Sequence, residues 1–144
     1  MKNKILLLPI FILLICASCT KSDGHDSSRT LSAKIDGTIK YFKDITVEED
    51  VNPDYTDFII TGKQADDPSK VIILRMEKGV TGTQSMYYIQ YFNNSDYFDS
   101  VTSGLNANIS ENSDIKLIAT FSSNLDDGDG NVVQVTQGIL NINF

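Results

Sequence analysis

Apolar and polar residues alternate with a period of two along most of the chain from Leu31 onward. In the last five residues, Leu140, Ile142 and Phe144 alternate with two asparagines. Successive side chains of a β-strand point to opposite faces, so this alternation predicts strands with one buried face. The apolar run Val71–Leu74 predicts a central strand that is buried on both faces.

Turn residues divide the alternating segments into separate predicted strands. Asp36–Gly37 is a two-residue hairpin signal, and clusters of Gly, Asn, Asp and Pro separate the later segments. The predicted strands span residues 31–35, 38–47, 57–63, 70–76, 86–92, 96–101, 105–110, 115–122, 131–137 and 139–144. No helix is predicted, and Pro53 would break a regular element in the segment Glu48–Tyr55. The spacing of the turns predicts one all-β domain, either an antiparallel β-sandwich or a partly closed barrel of about eight to ten short strands.

The first nineteen residues follow a different pattern. Lys2 and Lys4 precede the apolar run Ile5–Ile15, which only Pro9 interrupts, and small residues follow it. This order of charge, apolar core and small residues is typical of a secretory signal. The run is short for a membrane-spanning helix, which needs about 20 apolar residues. We therefore expect residues 1–18 to be a signal peptide that is removed.

Cys19 directly follows Ala17 and Ser18, and this arrangement resembles the lipobox of bacterial lipoproteins, with Cys16 where the lipobox usually has leucine. The resemblance implies that the Cys19 thiol carries diacylglycerol, with acyl chains such as palmitate, and becomes the N-terminus of a lipoprotein. The alternative is a plain secretory signal with an incidental cysteine. Residues 20–30 are polar and contain Gly and Ser, which predicts a flexible tether before a domain over residues 31–144.

Composition narrows the chemistry that this domain can perform. The formal net charge is −7 and the single histidine, His25, lies in the predicted tether. Binding to nucleic acid phosphates needs a basic surface, so nucleic acid is excluded as a partner. Both cysteines precede the domain, which excludes thiol chemistry within it. We predict no cofactor.

The segment Asp126–Asn131 is the one weak candidate for a metal site. Asp127, Asp129 and Asn131 offer oxygen atoms at alternate positions, which suits calcium. The glycine and glutamate that an EF-hand loop requires are replaced by Val132 and Gly138. We interpret the segment as a polar hairpin loop, with irregular calcium binding as the alternative.

Three clusters of carboxylates are candidate catalytic groups for glycoside hydrolysis. They are Glu48–Asp50, Asp54 with Asp57, and Asp66–Asp67. Such catalysis needs a carboxyl group whose pKa burial has raised. All three clusters lie in polar, turn-like contexts and are predicted to be solvated, so we expect the protein not to be an enzyme.

Aromatic residues crowd the segment 86–98 and form the best candidate for a binding surface. In a regular strand Tyr87, Ile89 and Tyr91 share one face, and Tyr88 and Phe92 share the other. One face would join the core, and the other would present rings to a sugar or peptide. The alternative is a strand that is buried on both faces or lies at a sheet edge. The candidate ligand-binding residues are Tyr87, Tyr88, Tyr91, Phe92 and Tyr97.

Three segments together resemble a known group of proteins. They are Leu31–Gly37 (LSAKIDG), residues 103–110 with Ile118–Ser122, and the C-terminal VQVTQGILNINF. The chain is similar to small lipoproteins of Bacteroidetes that carry a domain of unknown function, with an early A-x-I-D-G, a late G-T-F-S and a terminal V-T-x-G-x-F/L-x-V-x-F. The tryptophan common after their Asp-Gly is absent, and Tyr41 and Phe42 stand nearby. The resemblance implies an antiparallel β fold and an envelope location, and it implies no activity.

These observations together predict a lipid-anchored envelope protein. We expect a non-catalytic module on the outer membrane, at the cell surface or on the periplasmic face, that binds a glycan or a protein. One alternative is a structural subunit of a periplasmic or outer-membrane complex. A second alternative is a lipocalin-like barrel that holds a small apolar ligand.

Overall fold

The computed structural model describes residues 28–100 and 104–144, which form an all-β domain without a helix. Its nine strands are antiparallel throughout. They are β1 (Arg29–Ile35), β2 (Thr38–Val51), β3 (Thr56–Gln64), β4 (Lys70–Glu77), β5 (Met86–Asn93), β6 (Asp96–Ser100), β7 (Asn106–Asn112), β8 (Lys116–Asp126) and β9 (Val132–Asn143). The predicted all-β class is confirmed.

The strands close into a barrel rather than two stacked sheets. Their order around the ring is β6-β5-β4-β3-β2-β1-β9-β8, and a short pairing between β6 and β8 closes it. Strand β7 pairs with β8 beside this ring. Of the two predicted architectures, the barrel is therefore the one that the chain adopts.

The alternation seen in the sequence directs apolar side chains into the barrel. Leu140 and Ile142 face inward and are fully buried, as are Ile72 and Leu74 of the central strand β4. The largest fully buried side chains come from seven of the strands: Leu31, Ile60, Ile72, Leu74, Met76, Met86, Ile89, Ile109, Leu117, Leu125, Leu140 and Ile142. An eight-stranded barrel is just wide enough to be filled by such side chains.

A β-bulge explains why the sequence of β9 has the pattern of two strands. The bulge at Thr136–Gln137 gives β9 one extra residue relative to both β1 and β8, and Gln137 has φ 50°. The extra residue shifts the alternation, so Val133 and Val135 face inward before it and Leu140 after it. The segments 131–137 and 139–144 are consequently one strand.

Several predicted boundaries also need correction. Strand β1 begins at Arg29, so two residues of the predicted tether belong to the domain. Strand β2 continues through residues 48–51, and the chain turns only around Pro53. Ile115, the first residue of the predicted strand 115–122, lies in the preceding turn with 73% of its surface exposed. Phe144, predicted to face inward with Leu140, is also exposed.

The predictions about the signal peptide, Cys19 and His25 fall outside the described residues. Among residues 28–100 and 104–144, none belongs to a helix of the length and hydropathy needed to cross a membrane.

The two ends of the barrel differ, and each is defined by its loops. The far end consists of residues 36–37, 65–69, 94–95 and 127–131, which join consecutive strands. The entry end consists of residues 52–55, 78–85 and 113–115, together with the start of β1 and the end of β9. At the entry end the Asn143 N–H donates to the carbonyl of Ser28, 2.7 Å away, so the chain enters the barrel there.

Candidate functional site

Three aromatic side chains share the outer face of β5 and β6, and we call them the aromatic patch: Tyr88, Phe92 and Tyr97. Phe92 and Tyr97 lie directly opposite each other in the antiparallel register. Their ring centroids are 5.8 Å apart, with an interplanar angle of 57°. The hydroxyl oxygens of Tyr88 and Tyr97 lie 3.2 Å apart. Cross-strand aromatic pairs of this kind stabilise a sheet and hold the rings in place.

Polar groups lie beside these rings on the same face. The Tyr97 hydroxyl donates to Asp99 Oδ2 at 2.7 Å, and Gln90 lies opposite Asp99 in register. The bond to Asp99, and secondarily the contact with Tyr88, raises the pKa of Tyr97, so its hydroxyl stays protonated. Tyr97 is 41% exposed, whereas Phe92 is half-buried. The patch therefore combines ring faces with hydroxyl, carboxylate and amide groups.

Neither Gln90 nor Asp99 is among the site residues that the sequence predicts. The signal that could have found Asp99 is present, because a strand places residues 97 and 99 on one face. Arg75 of β4 lies opposite Tyr88 in register and borders the patch on its other side. Nothing local in the sequence shows which strand neighbours β5, so Arg75 could not be found in this way.

Tyr91 points into the barrel and is removed from the candidate surface. Its side chain is buried, and its hydroxyl donates to Gln64 Oε1 at 3.0 Å. Gln64 Nε2 in turn donates to Asp66 Oδ1 at 2.6 Å, and Lys40 Nζ lies 2.9 Å from Asp66 Oδ2. Burial raises the pKa of Tyr91 to about 12. This polar chain closes the interior at the far end and is structural.

Tyr87 lies on the outside of the barrel, so the prediction that it shares a face with Ile89 and Tyr91 is wrong. A bulge in β5 makes Tyr87 an extra residue opposite β4, and the Tyr87 side chain therefore points outward instead of inward. Its hydroxyl donates to Asp57 Oδ2 on β3, across β4. Burial and this bond raise the pKa of Tyr87. Tyr87 thus leans away from the aromatic patch.

The prediction that Asp57 is solvated is also wrong. This residue lies within β3 with only 3% of its surface exposed. The Tyr87 hydroxyl donates to Oδ2 of this carboxylate. The other oxygen, Oδ1, has no hydrogen-bond partner among the described residues. Such a buried, half-satisfied carboxylate makes stability depend strongly on the bond from Tyr87.

The other carboxylate clusters form surface ion pairs and turn contacts. The pKa of Asp66 is lowered by hydrogen bonds from Lys40 and Gln64, and the pKa of Asp67 is lowered by Ser69. A general acid needs the opposite shift. Glu49 lies 2.8 Å from Lys78 Nζ. The arrangement of these groups is therefore that of structural contacts.

The Asp126–Asn131 loop closes on its own carboxylate. Asp127 Oδ1 accepts from the backbone N–H groups of Asp129 and Asn131 at 2.9 and 3.0 Å. Asp127 Oδ2 accepts from Asn131 Nδ2 at 2.5 Å. These bonds, above all the one from the Asn131 side chain, lower the pKa of Asp127. Across the part of the chain that the structure describes, no three His, Cys, Asp or Glu side chains gather as a metal site would require.

A shallow groove of about 470 Å³ crosses the outer face of β7, β8 and β9, on the opposite side of the ring from β4. Its lining combines polar and apolar residues: Asn106, Asn108, Thr120, Ser122 and Gln137 with Ala107, Phe121, Gly138 and Ile139. None of its lining residues presents an aromatic ring as exposed as that of Tyr97 in the patch.

No protein-family model, curated protein or solved structure matches this chain. We therefore infer the function from the barrel and its surfaces.

Proposed function

We propose that the chain is a lipid-anchored, non-catalytic binding module of the outer membrane, and that its ligand is a glycan bound on the aromatic patch. The observation that carries this proposal is the joint presentation of Phe92 and Tyr97 rings with the Asp99 carboxylate on paired strands. Aromatic rings offer apolar faces to a sugar ring, and a few fixed polar groups orient its hydroxyls. Strands hold such groups more precisely than loops do.

The sequence pattern of the first residues supports attachment of the protein to the membrane through a lipid on Cys19. The signal-like residues 1–18, the lipobox-like Ala17–Ser18–Cys19 and the polar residues that follow support a lipoprotein. Two or more acyl chains give stable anchoring, whereas a single chain gives marginal binding. The resemblance to Bacteroidetes lipoproteins supports the outer membrane as the location, and the net charge of −7 disfavours nucleic acid as a partner.

The barrel architecture is also compatible with a lipocalin-like module that encloses a small apolar ligand. The inward-facing side chains of the described strands fill the interior, with Ile60, Ile72 and Leu74 fully buried. This packing favours binding on the outer surface. A structural subunit of an envelope complex would use a protein partner in place of a glycan.

A glycan array probed with the purified full chain tests the ligand class. Tyr97→Ala removes the most exposed ring of the patch, and Tyr41→Ala is the matched control, because Tyr41 is 60% exposed on β2. We expect Tyr97→Ala to weaken glycan binding at least tenfold, or about 1.4 kcal/mol. Equal binding by both variants, or no glycan bound by the wild type, would refute the proposal.

Protease treatment of intact cells tests the exposed location of the domain, with a periplasmic protein as the control. If the protein binds glycans outside the cell, we expect the protease to cleave its domain on intact cells. Protection until the outer membrane is broken would instead favour a structural subunit on the periplasmic face. Cys19→Ala is expected to release the protein from the membrane fraction, and retention of this variant would contradict lipid anchoring.

A further inference from the structure

The entry end of the barrel carries exposed apolar side chains that the fold does not cover. They come from the three loops of this end and from the ends of β2 and β9, and we call them the apolar rim: Val51, Tyr55, Val80, Ile115 and Phe144. Val51 and Ile115 are each 73% exposed. The four loops of the far end, residues 36–37, 65–69, 94–95 and 127–131, contain no large apolar residue and carry five aspartates.

The apolar rim is held firmly by the barrel although it faces outward. The Phe144 N–H donates to the carbonyl of Ile115 at 3.0 Å. The Phe144 ring stacks on Phe58, with centroids 5.3 Å apart. Lys78 Nζ lies 5.4 Å from the centre of the Phe58 ring and 3.1 Å from Asp114 Oδ1. These contacts tie Phe144 and the loop 113–115 to the barrel, so Ile115 and Phe144 form a preorganised part of the rim.

The rim lies at the end where the chain enters the barrel. Cys19 precedes Ser28 by nine residues, and an extended chain spans at most about 3.3–3.6 Å per residue, or roughly 30 Å in all. A lipid attached at Cys19 would therefore lie within roughly 30 Å of the entry end.

We propose that the apolar rim rests on the lipid bilayer and places Val51, Ile115 and Phe144 at the boundary between headgroups and acyl chains. This inference rests on the lipid anchor of the proposed function. Tyr55, with its apolar ring and polar tip, suits the same interface. In this orientation the barrel stands on its entry end, and the aromatic patch on its side stays open to ligands.

The chain contains no tryptophan, so one introduced tryptophan reports on one position. Ile115→Trp tests the rim, and Val132→Trp is the matched control, because Val132 is 55% exposed next to the far end. Each full chain is produced with its own signal in a bacterium that processes lipoproteins. It is then reconstituted in phosphatidylethanolamine–phosphatidylglycerol vesicles whose acyl chains are brominated. Intact mass establishes whether acyl groups are attached in each sample.

Bromine quenches tryptophan only at short range within the acyl region. We expect several-fold stronger quenching for Ile115→Trp than for Val132→Trp, and the same result for Val51→Trp as a second rim position. Equal quenching at Ile115 and Val132, or none at either in acylated protein, would overturn the rim contact and leave the anchor standing. Blue-shifted but unquenched tryptophan fluorescence from Ile115→Trp would show that protein covers the rim, either a second copy of the chain or the residues before Ser28. This result would also overturn the proposal.

The same samples separate this inference from the anchor itself. If intact mass shows no acyl groups, the lipid anchor of the proposed function is wrong. In that case, quenching of Ile115→Trp on vesicles would still support contact between the apolar rim and the bilayer. A lack of quenching would overturn the rim contact together with the anchor.

Discussion

Tyr87→Phe and Tyr97→Phe remove the same hydroxyl from two exposed tyrosines, and each hydroxyl donates to an aspartate. The two aspartates differ in their surroundings. Asp57 is 3% exposed and its Oδ1 has no partner among the described residues, whereas Asp99 is only half-buried. Water can replace the lost donor at Asp99 but has little access to Asp57. We therefore expect the two substitutions to have different effects on stability.

The expected loss of stability in Tyr87→Phe follows from the burial of the Asp57 carboxylate away from water. A hydrogen bond to a charged group contributes about 1.5–3 kcal/mol, and a buried charged group left without a partner costs more than a neutral one. We expect Tyr87→Phe to lower the free energy of unfolding by about 2–3 kcal/mol, a factor of roughly 30 to 150 in the folding equilibrium. For Tyr97→Phe we expect a loss below about 1 kcal/mol, as is usual for exposed charge-assisted contacts.

Urea unfolding at pH 7, followed by far-ultraviolet circular dichroism, measures both changes. The midpoints are comparable if the slopes of the transitions agree. Asp57→Asn supplies a further control, because removing the charge should reduce the cost of Tyr87→Phe in the double variant. Equal losses of stability in Tyr87→Phe and Tyr97→Phe would contradict this role of Asp57. An equal cost of Tyr87→Phe in the Asp57→Asn background and in the wild type would contradict it as well.

Two further predictions concern the interior. The pKa of Tyr91 is raised from 10.0 to about 12, so between these values the unfolded chain releases a proton that the folded chain keeps, and stability should fall as pH rises. Tyr91→Phe should remove up to about 1.4 kcal/mol per pH unit of this slope in urea titrations, and an unchanged slope would contradict the assignment. A Cβ at Gly138 would lie 2.6 Å from Cζ of Phe121, so Gly138→Ala should lower the free energy of unfolding by about 1–3 kcal/mol. At Gly104 the nearest atom to a Cβ is 3.5 Å away, so Gly104→Ala should change stability by less than about 0.5 kcal/mol, and equal thermal shifts would count against the packing argument.

Local patterns in the sequence predict the strands well because alternation and turn residues act over a few neighbours. They cannot predict the bulges at Tyr87 and Gln137, since an extra residue looks like a break in alternation. They also cannot choose between a sandwich and a barrel. Among the described residues, two pairs join β6 to β8, Asp99 with Asp126 and Ser100 with Leu125. These pairs join residues about 25 positions apart, and no local signal specifies them.

The candidate site likewise has features that the sequence predicts and features that it does not. Alternation separates Tyr91 from Tyr88 and Phe92, but it does not say which face is inside. The side that faces the core is decided by the neighbouring strands, which bury Tyr91 beside Gln64. The bond between Tyr87 and Asp57 spans three strands and depends on a bulge, so the sequence offers no sign of it.

An NMR titration of the isotope-labelled full chain can show at single residues whether a glycan binds the outer face of β5 and β6. The titrant is a mixture of oligosaccharides from hydrolysed polysaccharides. We expect chemical-shift changes at the amides of Tyr88, Phe92 and Tyr97, with little change at Tyr41 on β2. Changes confined to inward-facing residues such as Leu74, or no changes at all, would contradict glycan binding at this face.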